Sequence, residues 1–153
     1  MAYTYSEQLR RHIGRYREEG NSWPATTRDM AVWLIGNNLW EESSESVIRR
    51  CAADLATAMR EEYTTDPQGR SVRTKHAARL EGEQAPLWAD IHDASPDHMR
   101  VALQQRRQQI VGDCKQLKTD MDSYNDNYNT DRHIQLSFDF TRDLEELEAM
   151  EGD

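Results

Sequence analysis

Between Tyr63 and His76 the chain has few local structures open to it. Pro67 fixes φ for the second position of a β-turn, and Asp66 and Gly69 suit its first and last positions. Tyr63-Thr64-Thr65 lead into that turn and Arg70-Ser71-Val72-Arg73-Thr74-Lys75-His76 lead out of it, so the spacing predicts a β-hairpin. A two-stranded ribbon is marginal by itself in water, so the helices around it must supply the apolar cover. The outgoing strand, with Arg79 beyond it, forms the most concentrated cationic stretch of an acidic chain.

Three helical patterns precede the hairpin. Tyr5, Leu9, Ile13 and Tyr16 fall on one face of a helix over 5–19, which Gly20-Asn21 ends. Trp23-Pro24 forces an extended approach to the next element, and Thr26 with Asp29 resembles a capping box. The helix over 27–39 holds Met30, Val32, Trp33, Leu34, Ile35 and Leu39, is apolar on nearly all sides, and is expected at the buried centre. Ser43 or Ser44 caps a third helix over 45–62, whose inner face carries Val47, Ile48, Cys51, Leu55, Ala58 and Met59.

The second half is organised differently. Residues 81–94 read as a polar, proline-containing link in which Leu87, Trp88 and Ile91 form a short helix. Ser95-Pro96-Asp97 starts a long amphipathic helix over 95–124, with Met99, Leu103, Ile110, Cys114, Leu117 and Met121 on one stripe. That helix packs as an arm on the first domain or pairs with another helix, including that of a second copy. Residues 125–153 read as a flexible acidic tail, within which Ile134, Leu136, Phe138 and Phe140 alternate at strand spacing. The expected architecture is mainly α with a β-hairpin: a domain over 1–80, the link, the long helix and the tail.

Net charge is −9, with 12 Lys and Arg against 11 Asp and Glu in residues 1–80 and 7 against 17 in residues 81–153. Cys51 and Cys114 are the two cysteines, too few for a zinc site or a disulfide framework, which suggests a reducing compartment. The longest apolar run, Met30 to Ile35, is too short to span a bilayer, and the N-terminus lacks the apolar core of a signal peptide. The expectation is a cytoplasmic protein without a membrane partner.

Three helices followed by this hairpin resemble the winged helix-turn-helix family over about residues 5–80. The resemblance implies double-stranded DNA as a partner, with the third helix in the major groove and the hairpin as a wing on the backbone or minor groove. It places Ser44, Ser46, Arg49 and Arg50 towards DNA from the third helix, and Arg70, Arg73 and Lys75 from the wing. Glu41, Glu42 and Glu45 stand at the start of the same helix and repel phosphate, which favours a rival reading as a protein-interaction adaptor.

Gln135-Leu136-Ser137-Phe138-Asp139-Phe140 resembles the short peptide by which bacterial replication and repair proteins dock on the sliding clamp. Gln135, Leu136, Phe138 and Phe140 occupy its anchor positions, with Phe138 where Leu is usual. The alternative is an ordinary strand facing a core. Asp90, His92, Asp93, Asp97 and His98 form the densest group of potential metal ligands, but capping and turn roles explain the acids. Tyr124 and Asn125 break the calcium-loop pattern that Asp120, Asp122 and the following residues suggest. Nothing calls for a metal or cofactor. No phosphate loop, nucleophile elbow or carboxylate in an apolar setting is present, so the chain reads as non-enzymatic.

Overall fold

Small polar side chains start most of the helices. In the computed structural model, which describes residues 2–152, Thr4 and Glu7 form a full capping box at α1 (Tyr5–Glu18). Thr4 Oγ1 accepts from the Glu7 amide at 3.2 Å, and Glu7 Oε2 accepts from the Thr4 amide at 2.7 Å. Thr26 Oγ1 accepts from the Asp29 amide at 3.0 Å to start α2 (Thr27–Gly36). Ser43 Oγ accepts from the Ser46 amide at 3.1 Å to start α3 (Ser44–Arg60). The protein is mainly helical, with two small antiparallel hairpins and one long helix. It divides into two compact units at Thr57–Ala58, inside α3.

In the first unit the packing centre is Tyr16, the one buried residue of α1. Its ring meets Trp33 of α2 edge to face, with centroids 5.5 Å apart, and its hydroxyl donates to the Ser22 carbonyl at 3.3 Å. The side chain of Asn21 donates to the Tyr16 carbonyl at 2.8 Å, and Gly20 turns the chain with φ of 83°. Here the structure corrects the sequence reading. α2 has no buried residue, and Val32 and Ile35 are exposed. A helix that is apolar all round needs cover on every side, whereas Tyr16 covers only the face that carries Trp33. The expected inner face of α3 is likewise open, with Val47, Ile48, Cys51 and Leu55 all exposed.

The second unit is built on strands. β1 (Tyr63–Thr65) and β2 (Ser71–Arg73) pair antiparallel with Thr64 opposite Val72, as the turn chemistry requires. Asp66 organises the turn. Its amide and carbonyl bond to Arg70 and Gly69 at 2.9 Å each, while its Oδ1 accepts from the amides of Gln68 and Arg70. Gly69 has φ of 86°, a left-handed value that costs glycine little.

The outgoing strand is not continuous to His76. It breaks at Thr74, and β3 (Lys75–Ala78) pairs instead with β4 (Leu87–Asp90), His76 opposite Ala89. Thr74 joins the two hairpins: its amide donates to the Glu62 carbonyl at 2.9 Å, and its carbonyl accepts from the Ile91 amide at 2.8 Å. The short helix expected at Leu87–Ile91 is therefore a strand. Four residues of Leu-Trp-Ala-Asp gain more from a ladder with β3 than from one isolated helical turn.

α4 (Pro96–Asn127) starts where Ser95 Oγ accepts from the His98 amide at 3.1 Å, with Pro96 in the first turn. It packs on β3 through small and polar groups. Ala78 and Ala102 are buried, and His98 Nε2 donates to the His76 carbonyl at 2.9 Å. Gln105 receives the Arg79 amide and donates to the Arg79 carbonyl, both at 2.8 Å.

The tail is also corrected. α4 runs through Asn127, residues 134–140 are neither helix nor strand, and α5 (Thr141–Glu151) follows. Leu144, Leu147 and Met150 recur every three residues, and glutamate is a good helix former, so an acidic composition concealed helical spacing.

Replacing Ser95 by Ala is expected to cost about 1 kcal/mol through the lost cap. Urea unfolding followed by circular dichroism checks this, and an unchanged midpoint contradicts the role given to Ser95.

Candidate functional site

The cations that the winged-helix resemblance assigns to DNA fall in both units. Arg49 and Arg50 lie on α3 within the first unit, and Arg70, Arg73 and Lys75 lie within the second. Most face a carboxylate at close range. Arg50 meets Glu42 at 2.7 Å, and Arg49 faces Glu45 at 3.9 Å while lying over the ring of Tyr5. Arg70 Nε donates to Asp66 Oδ2 at 2.7 Å. Ser46 Oγ is 2.8 Å from Ser43 Oγ and so is engaged in the helix cap, whereas Ser44 stands exposed as the first residue of α3.

Lys75 is about 28% exposed, with Glu62 at 3.1 Å and Asp90 at 3.2 Å. Both acids hold its pKa above the ordinary lysine value. Arg73 differs from the rest: among the described residues no carboxylate lies within ion-pair distance of it.

Asp90 is the electrostatic node of the second unit. Its Oδ1 accepts from the amide and the ring Nδ1 of His92, at 2.9 and 2.6 Å. Its Oδ2 accepts from Lys75. These bonds, those from His92 first, lower its pKa from about 3.8 to about 2. The potential metal ligands around it have separate partners. Asp97 pairs with Arg100 at 2.6 Å, and His98 is committed to β3.

Residues 134–140 occupy a defined position. Asn125, in the last turn of α4, meets Ile134 as a strand neighbour would. Its Nδ2 donates to the Ile134 carbonyl at 2.8 Å, and its Oδ1 accepts from the Ile134 amide at 3.0 Å. Asn129 supports that arrangement by donating to Asn125 Oδ1 and to the Arg132 carbonyl, both at 2.9 Å, while it accepts from the Asp131 amide. The Asn- and Asp-rich stretch read as a flexible linker is thus a hydrogen-bonded turn. The signal in the sequence was the pair Asn125 and Asn129, four residues apart across a helix end.

From Gln135 to Phe140 the chain is neither helix nor strand, with local turns at Ser137 and Asp139, and α5 begins after Phe140. Gln135, Leu136 and Phe140 are exposed and Phe138 is half-buried, so these side chains do not line a core. The strand alternative therefore fails: the alternation is real, but no sheet receives it among the described residues. Asp139 Oδ1 accepts from the Thr141 amide at 3.1 Å, and hydrogen bonding by the Thr141 side chain first and its amide second lowers the Asp139 pKa.

No helix among the described residues is long and apolar enough to cross a membrane. No family model matches the chain, and neither a curated protein nor a solved structure is similar enough to count as a match.

The lowered pKa of Asp90 fixes the sign of a pH dependence. A carboxylate held below its unfolded value stabilises the fold above about pH 4, and that contribution is lost as pH falls towards about 2. Asp90→Asn is expected to lose less stability than the parent between pH 4 and 2, as read by urea midpoints across that range. Parallel losses in both proteins would sink the assignment.

Proposed function

We propose that this chain is a non-enzymatic interaction protein that docks on a partner through residues 134–140, in the manner of the peptides that bind bacterial sliding clamps. The observation that supports this most is the largely exposed run from Gln135 to Phe140, which is neither helix nor strand and is anchored at Asn125 before it and at α5 after it. Leu136, Phe138 and Phe140 are two residues apart, the spacing that successive pockets read once such a peptide lies extended on its partner. Restricting the peptide beforehand reduces the ordering entropy that binding must otherwise overcome. Gln135 then supplies the polar contact at the head of the motif.

A second reading, duplex DNA bound in winged-helix style, draws on the order of helices and hairpin and on Arg73, which forms no ion pair among the described residues. It is the weaker of the two. Phosphate contact gains affinity by releasing counterions from DNA. Arg49, Arg50, Arg70 and Lys75 already face carboxylates, which must separate from them or accompany them to the phosphate.

With purified bacterial sliding clamp and the full chain, the variant Gln135→Ala with Phe140→Ala is expected to bind at least about tenfold more weakly than the parent by calorimetry. Equal binding of parent and variant, or no binding of either, discards the clamp reading. The adaptor reading also expects no measurable affinity for duplex DNA at about 50 mM salt. Tight, salt-sensitive binding that weakens in Arg73→Ala would reverse the order of the two readings.

A further inference from the structure

α4 has two faces with different occupants. His98 and Gln105 turn towards the β3 segment, and they lie about 140° and 160° around the axis from Leu103 at 100° per residue. The face centred on Leu103 has no such cover. Leu103, Ile110, Leu117 and Tyr124 recur every seven residues and are 52%, 54%, 48% and 46% exposed. Cys114 and Met121 fall between them at the complementary four-and-three spacing. This is a heptad seam sustained over three repeats, the pattern of a helix meant to pack lengthwise on another helix.

We propose that α4 pairs with α4 of a second copy as a parallel, in-register coiled coil over residues 103–124. The charges beside the seam choose both the occupant and its direction. With Leu103 and its repeats at the d positions, Asp113 falls at g and Lys118 at the following e, five residues on. In a parallel pair the g residue of one helix meets that e residue of the other. Asp113 therefore meets Lys118 of the second copy, twice by symmetry. An antiparallel pair sets Asp113 against Asp120 twice in one full register; in the other Arg106 meets Asp120 twice but Asp113 faces its own copy, so each antiparallel register carries a like-charge contact that the parallel pair lacks.

Both groups are available for the exchange. Asp113 has no ion pair among the described residues, and Lys118 holds only Asp122 of its own helix, at 2.6 Å on an exposed surface. Arg107 is the one charged side chain at the a positions between Leu103 and Tyr124. Its long stem packs beside Leu103 and Ile110 while its head reaches water, and a single polar a residue helps to fix register and strand number. Cys114 then lies at an a position, which a parallel pair sets opposite its own copy.

The full chain at about 100 μM is expected to sediment at twice the 17.9 kDa of one chain. Ile110→Asp with Leu117→Asp changes two exposed residues and is expected to give a monomer with unchanged helical circular dichroism. Asp113→Lys is expected to raise the dimer dissociation constant about fivefold or more, and adding Lys118→Asp to restore it. In a Cys51→Ser background, an added azo-type oxidant, which removes the two thiol hydrogens, is expected to join copies through Cys114. A monomeric parent overturns the proposal, as does a dimer that survives the Asp pair. A dimer that neither cross-links at Cys114 nor recovers in the charge swap overturns the parallel register.

Discussion

Three polar side chains of α4 stand in for strand neighbours, and the second unit depends on them. His98 caps the His76 carbonyl, Gln105 pairs with both main-chain groups of Arg79, and Asn125 does the same for Ile134. Each satisfies backbone at the edge or end of a segment that has no further strand to continue the ladder. Apolar packing in this region is slight, since Ala78 and Ala102 are its fully covered apolar contacts. Where burial supplies so little, the arrangement rests on hydrogen bonds worth roughly 0.5–1.5 kcal/mol each, with a larger penalty for leaving a desolvated partner unpaired. The long helix is therefore a template against which short segments are fixed.

That dependence explains what the sequence disclosed and what it concealed. Local chemistry was readable: Pro67 and Gly69 gave the turn, Thr26, Ser43 and Ser95 gave helix starts, and 3.6-residue spacing gave four helices. Each of those signals acts within a few residues. β4 was not readable because Leu87-Trp88-Ala89-Asp90 becomes a strand only by pairing with Lys75–Ala78, and no local pattern announces that partner. Thr74 shows the same limit. Its amide and carbonyl serve two different hairpins, so a stretch that looked like one basic strand belongs to two. α2 failed for the converse reason: apolar composition states that a surface seeks cover, not that the fold provides it.

For the candidate sites the physical distinction is between charge and available charge. The winged-helix resemblance assigns Arg49, Arg50, Arg70 and Lys75 to DNA by their place in the third helix and the wing, but the fold brings acids from four to fifteen positions away to meet them. Lys75 is the clearest case, since Asp90 is distant in sequence and adjacent only through the β3–β4 register. Gln135 to Phe140 was selected by pattern alone, and the structure adds what pattern could not: an anchor at Asn125 and no sheet to receive the alternating side chains. The docking proposal gains from that geometry, while the identity of the partner still rests on the resemblance.

The two proposals that involve α4 reinforce each other by a simple argument about valency. Each copy carries the apolar seam along the helix and the docking peptide just beyond its C-terminal end. In a parallel pair the two helices finish side by side, so both peptides emerge at the same end of the coiled coil. A partner with more than one pocket then meets a high local concentration of the second peptide after the first has bound. Such coupling multiplies affinity by roughly 10²–10⁴ without any new contact, provided the geometry lets both engage. An antiparallel pair separates the peptides by the length of the seam, about 33 Å for 22 helical residues, and forfeits most of that gain for a compact target. The Asp113–Lys118 complementarity would thus set more than register: it would decide whether two individually weak peptides act as one site.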